Sequence, residues 1–197
     1  MPQKEIDVFK LLERGAFRAG IERRTAQARN WFIKQTRGMQ IQRNQLLNHD
    51  YSRPNVRGNG VGRMYMFLYD AKTKEKLPYW DRFPCSIFIE NYSDGFLGLN
   101  LHYLGLRTRG MLLGRLYDLM SKTLTESTRI NISYDLIRGF SRFPEARPCV
   151  KRYLAQHIKS EFVEIPAADW EIAAFLPVES FVGASRDEVW RQSSRKI

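Results

Sequence analysis

Apolar and polar positions alternate most densely over residues 64–104, and the pattern predicts a compact antiparallel β unit. Tyr65, Phe67 and Tyr69 alternate with Met64, Met66 and Leu68, so this strand is apolar on both sides and both are expected to be covered. Residues 70–76 carry three lysines and read as an exposed hairpin tip. Pro78 and Pro84 then bracket an extended connection outside the ladder. Residues 86–90 form a second strand, with Ile87 and Ile89 on one face and Phe88 on the other. Tyr92-Ser93-Asp94-Gly95 is a turn, because Asp-Gly is a strong hairpin signal. Residues 96–103 form a third strand, in which Gly98 and Asn100 signal a bulge or a close backbone approach. Three strands need a cover, and the flanking helical patterns supply it.

Ile6, Phe9, Leu12 and Phe17 mark a short amphipathic helix over 4–18, limited by Gly15 and Gly20. Thr25 caps a second helix that runs to about Leu47. Its wheel puts Ala28, Phe32, Met39 and Leu46 on one side and Arg29, Lys34, Arg37 and Arg43 on the other, with Trp31 exposed. The turn formers of 48–62 mark a linker. Gly58, Gly60 and Gly62 match neither spacing of the phosphate-binding loops, and a strand follows them where a helix should begin. Residues 108–122 form a helix with Leu112, Leu116, Leu119 and Met120 inward, the best candidate to cover the sheet. Residues 127–135 suggest a short strand, followed by a helical turn through Leu136 and Ile137. Pro148 opens a helix carrying Cys149, Val150, Tyr153, Leu154, His157 and Ile158. A short strand over 161–165 and a helix over 166–175 follow. Ser185 and Glu188 form a capping box for the last helix, with Trp190 on its apolar patch.

These elements add up to an α+β fold. It comprises a small antiparallel β unit (about residues 63–104 plus a short later strand) packed with helices, a basic helical N-terminal arm and a helical C-terminal tail. The expected divisions are the arm (1–48), a linker (49–62), the core domain (63–182) and the tail (183–197).

Charge changes the picture more than composition does. The formal net charge is +11 and the isoelectric point is about 9.9, which points to an anionic partner. Residues 1–63 hold thirteen Lys/Arg against five Asp/Glu, leaving 19 against 16 in the rest of the chain. The basic helix suits a phosphate backbone, an acidic protein surface or solvent. The candidate contact residues are Arg23, Arg24, Arg29, Trp31, Lys34, Arg37, Arg43, Trp190 and Arg191.

Catalytic signals are missing. His49, His102 and His157 lack ligand partners at metal spacing, and Cys85 and Cys149 form no CxxC and read as buried free thiols. No GxSxG or HExxH occurs. His102, beside Asn100, is the most tempting single residue, and a structural role outweighs a catalytic one. The expectation is a non-enzyme with no cofactor and no metal. No signal peptide and no apolar run of membrane-spanning length is present, so no membrane partner is expected.

Several segments together resemble a virion protein family of T-even-like myoviruses of the cyanophage and marine phage type. They are FRAGIERRTAQARNWF at 17–32, MYMFLYDAKTKEKLPYWDRFP at 64–84, DGFLGLNLHYL at 94–104, RPCVKRYL at 147–154 and WEIAAFLPVESF at 170–181. Some members carry the label DNA end protector. The resemblance implies a virion protein made in the host cytoplasm, with a place in a symmetric multi-protein assembly. The leading expectation is a tail or baseplate component of the hub region, holding other tail and baseplate proteins through its terminal arms. The alternative is a protector bound to the ends of packaged DNA through the phosphate backbone. The resemblance carries no residue-level motif.

Overall fold

A computed structural model describes residues 7–48, 52–53, 60–121, 139 and 143–197. The expected elements over 127–137 lie outside the described residues. The fold is α+β: an antiparallel sheet packed against helices.

The first helix starts after Asp7, inside the expected span of 4–18, and the second starts at its expected Thr25 cap. Asp7 accepts hydrogen bonds from the Phe9 and Lys10 amides at the start of α1 (Val8–Arg18), whose buried stripe is Phe9, Leu12 and Ala16. Thr25 caps α2 (Ala26–Thr36) through the Ala28 amide at 3.0 Å. The single helix expected up to Leu47 is two. Gly38 adopts φ +83°, which an L side chain resists, and the chain runs extended before α3 (Arg43–Leu47). Ala28 and Phe32 are fully buried in the same core as the sheet. Trp31 is half-buried rather than exposed: its ring lies against Gly15 and stands edge-on to Phe32.

The main sheet has six strands in the order β1-β7-β2-β4-β5-β6, every pair antiparallel. The strands are β1 (Ser52–Arg53), β2 (Met64–Met66), β4 (Cys85–Tyr92), β5 (Gly95–Asn100), β6 (Val150–Leu154) and β7 (Phe162–Ile165). The β unit of 63–104 is its centre, and later chain extends it on both sides. β3 (Trp80–Asp81) pairs separately with β8 (Phe181–Val182). The β4–β5 hairpin turns at Ser93-Asp94, with Tyr92 opposite Gly95. The register shift falls at Phe88/Glu90. Gly98 marks a close approach instead: a Cβ there would collide with the Ser86 hydroxyl.

β2 alternates as expected. Met64 and Met66 face the helical core, while Tyr65 and, just beyond the strand, Phe67 and Tyr69 enter a second, aromatic cluster on the other face. There Phe88 stacks on Phe96 at 3.7 Å between ring centroids, and Phe67 meets five other rings edge-on. α4 (Leu106–Ser121) covers the first face with Leu112, Leu113, Leu116 and Tyr117.

The helix expected after Pro148 does not form. Arg147–Cys149 is one 3₁₀ turn, β6 follows, and Ala155–His157 is another 3₁₀ turn. The sheet edge offers β5 a five-residue ladder, and this outweighs an apparent helical spacing drawn from three short conformations. The helix expected over 166–175 shrinks to one turn, α5 (Trp170–Ala173). The last helix, α6 (Arg186–Ser194), starts at the Ser185 cap as expected. Among the described residues no helix is long and apolar enough to cross a membrane.

Candidate nucleic-acid interface

The arginines of the N-terminal segment divide by what they touch. Arg23 donates to Glu171 Oε2 at 3.3 Å and to the Ala168 carbonyl at 2.5 Å, and lies over the Phe32 ring. The Arg24 amide also donates to Glu171 Oε2, at 3.0 Å, and its guanidinium lies over Tyr117. Glu171 is wholly buried, so this pair of donors holds α5 to the loop before α2. Arg43 donates to the carbonyls of Val178 and Glu179 at 2.8 and 2.7 Å. Arg29 lies along α4 against Gly110 and Gly114, and a Cβ at Gly114 would crowd its guanidinium. Lys34 and Arg37 are exposed and have no hydrogen bond or ion pair among the described residues.

Trp190 also turns inward. Its indole N–H donates to the His102 carbonyl at 2.8 Å, and the guanidinium groups of Arg109 and Arg186 lie over its ring. α6 is therefore docked on its own chain, and Arg191 stays exposed on it.

A buried polar network underlies this docking. Asp81 accepts four hydrogen bonds: Oδ1 from the Phe83 and Ser180 amides, and Oδ2 from Asn100 Nδ2 and His102 Nδ1, all at 2.8–3.1 Å. Burial alone would raise its carboxyl, but the His102 ring and these donors hold it below the ordinary range. Arg109, fully buried, donates to Ala174 O, Leu104 O and Glu179 Oε1. His102 is thus a structural residue inside the protein, and its Nε2 is buried away from any substrate. Burial pushes both Cys85 and Cys149 up to about 12, which leaves them inert thiols. Among the described residues no group of His, Cys, Asp and Glu is placed to hold a metal.

Two hollows open beside these elements. One, of about 520 Å³, runs between α2 and α4 and is bordered by Arg29, Asn30, Ile33, Arg107 and Met111. The other, of about 370 Å³, lies between the 71–77 turn, β3, the 3₁₀ turn Leu101–Tyr103 and β6. Its walls combine Tyr79, Trp80 and Tyr103 with Lys72, Lys151 and Arg152. The Lys151 ammonium sits 3.9 Å from the centre of the Tyr103 ring. It has no hydrogen bond or ion pair among the described residues. Arg152 is committed: it pairs with Asp94, donates to Tyr153 O and lies over Tyr92.

This second hollow was missed by sequence reasoning, because its walls come from three distant segments. A local signal existed in Lys151-Arg152-Tyr153, where basic and aromatic residues interleave as they do in nucleic-acid-binding surfaces.

A sequence-family model described as Phage T4 terminal DNA protecting protein matches residues 10–196. The chain belongs to this family. The description names protection of DNA termini and no reaction, which fits a non-enzymatic protein. It overturns the expectation of a tail or baseplate hub component, because the description names the protection of DNA ends. The alternative, end protection, is the better-supported reading. No curated protein and no solved structure matches the chain.

Proposed function

We propose that this protein binds the ends of linear double-stranded phage DNA and shields them from exonuclease, acting by occupancy and not by catalysis. The family match over nearly the whole chain carries this reading. The protein would be made in the host cytoplasm and travel with packaged DNA in the particle. Its net charge of +11 and pI near 9.9 supply the attraction to a phosphate backbone. Lys34, Arg37 and Arg191 are the sequence-derived candidates best placed to reach phosphates, because they are exposed. Arg23, Arg43 and Trp190 hold the fold instead. Contacts of this kind position a protein on a duplex without reading its sequence.

A gel shift of linear blunt-ended and closed circular DNA of the same sequence, across a salt series, tests the reading. The expected result is tighter binding of the linear form, with affinity falling by about 0.9 log unit per log unit of salt for each neutralised phosphate. Equal binding of both forms, or none at moderate salt, would refute it.

A further inference from the structure

We infer that the aromatic hollow beside β6 receives the terminal nucleotide of a DNA strand, its phosphate on Lys151 and its base against the Tyr79 side of the pocket. The inference deepens the end-protection reading and rests on it.

Lys151 carries the argument first. An ammonium removed from water ordinarily takes a carboxylate or several carbonyls as partners. Here the described residues offer it only the Tyr103 ring face. Burial pushes it down to about 8, and Lys196 of the C-terminal turn adds like-charge repulsion. Asp81 borders the same hollow, but both its oxygens are engaged by Phe83, Ser180, Asn100 and His102, and it makes no ion pair with Lys151. Lys72 reaches the rim from the exposed turn with no partner among the described residues. Among the described lining residues three cations, Lys72, Lys151 and Arg152, stand against one carboxylate, Asp81, so the hollow is net positive, and a phosphate is the anion that DNA supplies.

Shape and lining select the rest. Aromatic walls stack a base of any identity, because every base has a π-face. A hollow of about 370 Å³ lies within the size range of small-ligand pockets and admits one nucleotide, not a stacked duplex. A nucleotide in mid-duplex enters such a pocket only by flipping out against pairing and stacking on both sides, whereas an end base is stacked on one side only. A pocket for one splayed nucleotide therefore distinguishes an end from an interior without reading sequence.

The experiment uses the full chain and three 20-base-pair duplexes measured by fluorescence anisotropy at fixed salt. One has an open blunt end, one has both ends closed by loops, and one has an open end whose last base pair is covalently cross-linked between strands. The expected order is open end tightest, with the cross-linked and closed forms each weaker by about tenfold, the factor that 1.4 kcal/mol of lost stacking corresponds to. Lys151→Gln is expected to weaken the open-end complex by about tenfold and to leave the cross-linked and closed forms unchanged. Lys72→Gln, at an exposed turn position that cannot disturb the core, should weaken the open-end complex in the same selective way by a smaller factor. If the open end is preferred over the closed form but neither the cross-link nor the two substitutions matters, the pocket assignment is overturned and end binding stands. If open and closed duplexes bind alike, both fall.

Discussion

The arginines near the N-terminus and the lysine on β6 contribute equally to the net charge and have opposite fates. Arg23 and Arg43 reach across more than a hundred residues to bond carbonyls and a buried carboxylate, closing the fold around α5 and the 174–180 segment. Lys151, on a sheet edge, meets an aromatic ring and no acid among the described residues. Charge density along a sequence therefore does not locate a binding surface. What distinguishes a structural cation from a ligand-seeking one is whether the fold supplies its acceptors.

Substitutions that empty the structural side of this comparison should have the largest effects. Arg109→Met would leave the Glu179 carboxylate and two main-chain carbonyls without their donor, and a loss of about 3–5 kcal/mol is expected from urea unfolding. Asp81→Asn should cost about 2–3 kcal/mol, because an amide N–H would face the donors Asn100 Nδ2 and His102 Nδ1.

The same carboxylate fixes the sign of an acid dependence. Its folded pKa is depressed, so the unfolded chain takes up the proton first as pH falls. Its contribution is complete above about pH 4, the ordinary carboxylate range, and is lost as pH drops through the folded value. Glu179 is depressed too; burial opposes this, and Arg109 and His102 outweigh it. Urea midpoints between pH 3 and 6 should fall toward acid, less steeply in Asp81→Asn, with the remaining slope from Glu179 and from Asp70, which the Lys74 hydrogen bond holds down at the surface. An unchanged slope would remove Asp81 from this account.

Arg43→Ala should cost about 1–3 kcal/mol through two lost charge-assisted hydrogen bonds, with the salt dependence of DNA binding unaltered. The pair Lys34→Gln and Arg37→Gln should do the reverse. Stability should move by less than about 0.5 kcal/mol, and the log–log salt slope should drop by about one for each phosphate contact removed. A slope that responds to Arg43 and not to this pair would break the division between inward and outward cations.

Much of the fold was legible in the sequence because local signals agreed with the tertiary demand. Thr25 and Ser185 cap the helices they precede, and Ser93-Asp94 turns the central hairpin. The alternation at Met64 to Phe67 named both faces of β2. The misreadings came where a local pattern had two physical solutions. Cys149, Val150, Tyr153 and Leu154 recur as on a helix, yet the open edge of β5 turns the segment into a strand. Gly38 lies in an otherwise helical run, and its positive φ splits that run. The exposed reading of Trp31 failed because Gly15, on another helix, leaves room for the ring. The aromatic hollow left only the local Lys151-Arg152-Tyr153 signal in the sequence, since Lys72, Tyr103 and Lys151 meet only after the sheet has formed.

Protection itself is the most direct measurement. Linear blunt-ended DNA is incubated with the protein at moderate salt, challenged with a processive exonuclease that enters at duplex ends, and the surviving full-length fraction is followed in time. The account predicts survival that rises with protein concentration, with saturation near two bound molecules per DNA, one at each end. Digestion at the unprotected rate under conditions where the protein is bound would contradict it.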